Sequence, residues 1–250
     1  MKERELLIPS SIDQSPEPSL FFEAEGVGRP LLVGLHTWSF DRFNQRERLL
    51  PLAERLGCHL LLPEFRGPNL DSNPRVAEAC GSRLAVTDVL DAVRYVLCHT
   101  SADPNAVLLV GGSGGGHMAL LLAGLAPERF AAIAAVVPIS DLTLWKDQNP
   151  SYTRHILAAT GADEQEMRSR SPISYLDGMA RANLKIFHGK RDPSVPVTQS
   201  ISLYNRLMER YPDARVYLDV FDGGHEMCIE EVELFFRKQL KGVKSETLSS

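Results

Sequence analysis

The sequence predicts an α/β fold in which a mostly parallel sheet carries helices on both faces. Two observations carry that expectation. Short runs rich in Val, Ile and Leu alternate with longer stretches of helical spacing. The runs are apolar at every position rather than every second one, as in strands buried on both faces. A third observation refines it: the first two candidate strands lack a helix between them, so the sheet should start antiparallel and then turn parallel.

In chain order the expected strands lie near Glu5–Ile8 and Leu20–Glu23, then at Leu31–Leu35, His59–Pro63, Ala106–Val110, Ala132–Val137, Leu184–Phe187 and Val216–Phe221. Together they make an eight-stranded sheet. Between them, Arg83–His99 places Val86, Val89, Val93 and Leu97 on one helical face. Val197–Arg210 does the same with Ile201, Tyr204 and Met208. The Ser- and Pro-rich stretch Ser10–Ser19 reads as a hairpin or loop, and the polar Lys244–Ser250 as a frayed tail. With no repeat and no long linker, residues 1–250 read as one domain, with 1–30 supplying the first strands.

Composition narrows the function. A content of 44% hydrophobic and 24% charged residues is that of an ordinary globular protein. A net charge of −5 without a basic block argues against nucleic acid or an anionic membrane as partner. Neither a signal peptide nor a bilayer-length apolar stretch is legible, so the expected location is the cytoplasm. The four cysteines form no C-x-x-C pair; Cys58 and Cys98 lie in apolar runs and read as packing residues. No metal-ligand spacing appears among the histidines, and neither a metal nor a cofactor is implied.

The run Ala106–Val110 leads into Gly111-Gly112-Ser113-Gly114-Gly115-Gly116. This contains G-x-S-x-G, in which a strand ends in a sharp turn that lifts a serine over the sheet edge before a helix begins. The N–H of Gly114 then points at the same space and suits an oxyanion donor. Gly114-x-Gly116-x-x-Ala119 also fits a dinucleotide fingerprint, but that belongs in a first βα unit, with an acidic residue sooner than Asp141. No Gly-Lys-Ser/Thr supports a phosphate loop.

A serine nucleophile needs a base, and the base needs an acid to orient it. Asp192 sits in a proline-bounded turn after Leu184–Phe187, and His225 follows two glycines after Val216–Phe221. Singly, each is an ordinary loop residue. Jointly, Ser113, Asp192 and His225 stand in the order nucleophile, acid, histidine at strand ends, the order of the α/β-hydrolase fold. A second oxyanion donor should come from the loop after the third strand, with the Trp38 N–H first and Thr37 second. Thr37, His117 and Trp145 are candidate pocket residues. His188 reads as holding a turn.

These residues resemble the prolyl oligopeptidase family. The likeness lies in His188-Gly189-x-x-Asp192-x-x-Val195-Pro196, in the G-G-S-x-G-G elbow, in Gly224-His225 and in the turn Pro63-Glu64-Phe65-Arg66-Gly67, where Arg66 reads as structural. It covers about Leu31 to Leu240. Thr37 stands where many relatives have glycine, and residues 1–30 are too short for the family's β-propeller. The resemblance therefore implies a serine hydrolase without a large cap, acting on a small ester as carboxylesterases do. The alternatives are a peptidase or amidase on short peptides, and a non-catalytic binding protein of the same fold. The polar segment Thr143–Asn183 is the expected substrate-facing variable region. Oligomeric state is not legible.

Overall fold

Most of the apolar runs become strands covered on both faces, while the edge run Val216–Phe221 is half exposed, with Tyr217 at 50% and Val220 at 43%. A computed structural model describes the backbone of residues 1–247 and side chains through residue 241. Its strands are β1 (Lys2–Pro9), β2 (Pro16–Glu23), β3 (Leu31–Leu35), β4 (His59–Pro63), β5 (Val107–Gly112), β6 (Ala132–Val136), β7 (Leu184–Gly189) and β8 (Val216–Phe221). They form one eight-stranded sheet in the order β1-β2-β4-β3-β5-β6-β7-β8. The β1–β2 and β2–β4 pairs are antiparallel and the rest are parallel. β2 starts at Pro16, so the Ser10–Ser19 stretch, expected as a hairpin or loop, forms the turn of the β1–β2 hairpin and the start of β2.

The helices are α1 (Arg46–Leu56), α2 (Arg83–His99), α3 (Gly114–Leu125), α4 (Leu142–Gln148), α5 (Thr153–Thr160), α6 (Glu164–Ser169), α7 (Leu176–Met179), α8 (Thr198–Arg210) and α9 (Ile229–Thr247). Successive strand residues point to opposite faces. Leu31, Val33, Leu109 and Ile133 therefore pack with α2, α3 and α8. Leu32, Leu108, Val110 and Ala134 pack with α1 and α9 on the other side. Each fully buried Leu or Ile contributes about 1.5–3 kcal/mol, so the two-sided burial is what fixes the strand assignments.

Three expectations change. Helix α8 is rotated: Leu203 and Leu207 are fully buried and Ile201 is exposed, because Ser200 and Gln199 also turn inward to make hydrogen bonds. Cys98 is exposed on α2 while Cys58 is buried, and all four cysteines are free. Helix α9 continues to Thr247, into the stretch expected to fray, and 248–250 lie outside the described residues. Among the described residues no helix is long and apolar enough to cross a membrane.

The loops after β3, β5, β6, β7 and β8 gather at the carboxyl edge of the sheet, where open α/β sheets bind ligands.

Candidate active site

At the tip of β5 the chain turns without a spacer, and Ser113 takes φ 55 and ψ −118. A residue with a Cβ pays about 1–3 kcal/mol for such a conformation. The surrounding glycines hold it there. A Cβ on Gly111 would run into the Gly115 carbonyl, and one on Gly115 would come within 2.6 Å of the Leu35 carbonyl oxygen. Helix α3 can thus begin at once, tight against β3 and β5. Ser113 N–H donates to the Val136 carbonyl at 2.9 Å, which ties the elbow to β6.

The acid loop after β7 is built around Asp192. Its Oδ1 accepts the N–H groups of Ser194 (2.8 Å) and Val195 (2.9 Å). Its Oδ2 lies 2.7 Å from His225 Nδ1. A second histidine, His188, is wholly buried, with Nε2 3.5 Å from Oδ2 and 2.8 Å from the Val195 carbonyl. Burial pushes the Asp192 carboxyl up, but the bonds from His188, His225 and the Val195 N–H outweigh it and hold the group well below the usual carboxylate range. Asp192 is therefore ionised, and its oxygen fixes the proton of His225 on Nδ1, leaving Nε2 as the free base.

Ser113 and the His225 ring line one open cleft of about 380 Å³, together with Thr37, Arg48, Glu226 and Met227. Among the described residues no hydrogen bond joins the Ser113 hydroxyl to the ring. A contact that tightens only when substrate arrives fits this arrangement. A roomier hollow of about 460 Å³, by Arg29, Gly57 and Arg237, lies at the opposite edge of the sheet and holds none of these groups.

Two backbone N–H groups meet beside the elbow. Gly114 N–H is a first-turn donor with no acceptor inside its helix. A Cβ on Gly114 would lie 2.5 Å from the Trp38 nitrogen, so the two peptide groups are in contact range. The Thr37 N–H is occupied by Asn44 Oδ1 at 3.2 Å. The Trp38 N–H has no acceptor among the described residues.

His117 and Trp145 are not pocket residues. His117 is 1% exposed, and its Nε2 donates to the Arg170 carbonyl at 2.7 Å. Trp145 is 1% exposed, packs edge-on against Trp38 at 4.9 Å, and donates Nε1–H to the Ser194 carbonyl. Both expectations fail because the 143–183 segment folds back over α3 and the acid loop, making its helices core rather than rim. Three neighbours carry signals that differ in legibility. The i, i+4 spacing of His188 and Asp192 is a sequence clue, whereas Asn44 and Arg48 reach the site through tertiary structure alone.

A sheet of this order, with a strained serine beyond β5 and a carboxylate–histidine pair beyond β7 and β8, defines an α/β-hydrolase. The profile of the prolyl oligopeptidase family matches residues 81–234, and the chain belongs to that family of serine hydrolases. It is 27% identical over 203 residues to the acylamino-acid-releasing enzyme of Mus musculus, covering 76% of this chain and 28% of that one. It is 28% identical over 148 residues to dipeptidyl peptidase family member 6 of Caenorhabditis elegans, covering 55% and 20%. The chain thus spans under a third of either relative. In fold it resembles a puromycin-hydrolysing peptidase of Mycobacterium tuberculosis, with TM-score 0.78, 19% identity and coverage of 96% and 39%. It also resembles an esterase of Pyrococcus furiosus, with TM-score 0.72, 16% identity and coverage of 96% and 90%.

Proposed function

We propose that this protein hydrolyses carboxylic esters through an acyl-enzyme on Ser113, with His225 as base and Asp192 as its orienting acid. The observation that carries the reading is the 2.7 Å His225–Asp192 bond beside a strained serine in an open cleft. In the first half-reaction, Ser113 Oγ bonds to the carbonyl carbon as its proton passes to His225 Nε2. The N–H groups of Gly114 and Trp38 hold the oxyanion. The carbon–oxygen bond to the alcohol then breaks, and His225 returns the proton to the departing oxygen. In the second half, a water gives its proton to His225 and its oxygen to the acyl carbon. The Ser113 bond breaks and the hydroxyl is regenerated, with one water consumed.

A second reading, cleavage of short N-acylated peptides, is favoured by the acylamino-acid-releasing relative. Both share the same two half-reactions, with an amine in place of the alcohol.

The test is covalent labelling with a fluorophosphonate alongside turnover of acyl esters and aminoacyl anilides. We expect one label on Ser113, faster turnover of esters than of anilides, and a loss of roughly 10⁴-fold or more in kcat for Ser113→Ala. Native protein that takes no label and turns over neither substrate would leave a non-catalytic binding protein instead.

A further inference from the structure

The cleft beside Ser113 is shared by the histidine loop and helix α1. His225 must deliver its proton to the departing atom, so the leaving group lies on the imidazole side of the serine. The cleft is lined by Glu226, Met227 and Ile229, which follow His225 in the chain, and by Arg48 and Thr37. Trp38 and Trp145, behind the oxyanion loop, are each 2% exposed or less and take no part in the lining.

Arg48 is set apart from the other arginines nearby. On the same helix, Arg46 pairs with Glu3 and Arg55 with Glu233, and just before it Arg42 pairs with Glu64 and Glu5. Arg48 has no carboxylate partner among the described residues, although it is on the cleft that holds the nucleophile. Glu226 shares the rim without pairing with it, one of its oxygens taking the Gly224 N–H at 3.3 Å. A guanidinium kept free of internal partners on a substrate cleft is a fork-shaped receptor for a carboxylate.

We propose that Arg48 determines specificity by binding a carboxylate on the leaving group. The preferred substrates are then esters or amides whose departing half is a carboxylic acid, such as a hydroxy acid or an amino acid with a free carboxyl end. This rests on the hydrolase reading above and names the substrate class of that site.

The test compares phenyl acetate with 3-acetoxybenzoate, which differ only by a carboxylate on the departing phenol. We expect the native protein to favour the carboxylate ester in kcat/KM. Arg48→Ala should lose about tenfold on that ester alone, and Arg48→Glu more. Arg48→Lys should recover part of the preference. Binding of 3-hydroxybenzoate and of phenol to the Ser113→Ala protein, followed by ligand-observed NMR, gives a readout that needs no turnover. If the native protein hydrolyses neither ester, the hydrolase reading fails, and the binding arm still decides the role of Arg48. Equal effects of Arg48→Ala on both esters, or 3-hydroxybenzoate binding that ignores Arg48, would overturn the proposal.

Discussion

Asp192 shows how one residue carries two loads. Its Oδ1 is the keystone of the acid loop, accepting two backbone N–H groups, while its Oδ2 aims His225. Asparagine in its place keeps the shape but offers one oxygen and one NH₂ where two acceptors are needed. If the amide oxygen stays with the loop, its NH₂ faces His225 and forces the proton onto Nε2, the nitrogen that is the base in the proposed mechanism. Asp192→Asn should therefore lower kcat by roughly 10⁴-fold with little change in KM. A fluorophosphonate labelling rate measured beside kcat checks this, and both should fall together. The pH dependence has a definite sign. The folded carboxyl titrates below the unfolded one. Its contribution to stability is present above the ordinary carboxylate range and is lost as pH falls through the lowered value.

Helix α3 carries the elbow, and every residue from Gly114 to Ala123 in it is buried. A helix apolar all round is a core helix, and that is why His117 within it cannot stay charged. Burial pushes His117 down to about 4, more than the Arg170 carbonyl offsets. Between about pH 6.5 and about 4 the unfolded chain binds a proton here that the folded one does not, so stability falls with pH across that window. The expected loss from this site is about 2 kcal/mol between pH 7.5 and 5. Glutamine keeps an N–H for the Arg170 carbonyl and has nothing to titrate. Urea melts of native protein and His117→Gln at the two pH values should show a native deficit that the variant lacks. The same helix marks how far the sequence is legible. β3, β4 and β8 match the sequence reading in both bounds, the first two buried along their length and the edge strand β8 half exposed. The placement of Ser113, Asp192 and His225 just past strand ends is legible because a turn after each strand leaves a local mark. The burial of His117 and Trp145 is not, because the cover comes from residues 53 and 49 positions away in the chain. A spacing rule within one helix carries no trace of that.

At the scale of the whole molecule, one buried cation joins segments that local structure leaves separate. Arg66 follows β4 at φ 77, its side chain wholly buried. It bonds Asp88 of α2 at 2.5 Å, Asp13 of the β1–β2 turn at 2.8 Å and Glu78 at 2.9 Å, with Glu17 of β2 at 3.5 Å. The antiparallel edge of the sheet is thereby clamped to a core helix. Removing the cation strands Asp88, whose side chain is 1% exposed, whereas Glu17 and Glu78 keep Arg75 and Asp13 is open to solvent. Burial already pushes the Asp88 carboxyl up despite Arg66. Arg66→Met should therefore cost about 3–5 kcal/mol near neutral pH, more than loss of an exposed ion pair. The deficit should shrink on mild acidification, since the stranded carboxyl escapes its burial by taking a proton. Pairing Arg66→Met with Asp88→Leu should restore part of the loss, because it removes the charge that was stranded. Hydrogen exchange locates the effect: amides of β1 and β2 should lose protection in Arg66→Met well before those of β5 and β6. Uniform loss across the sheet would mean that the clamp supports global stability and does not hold this edge in particular.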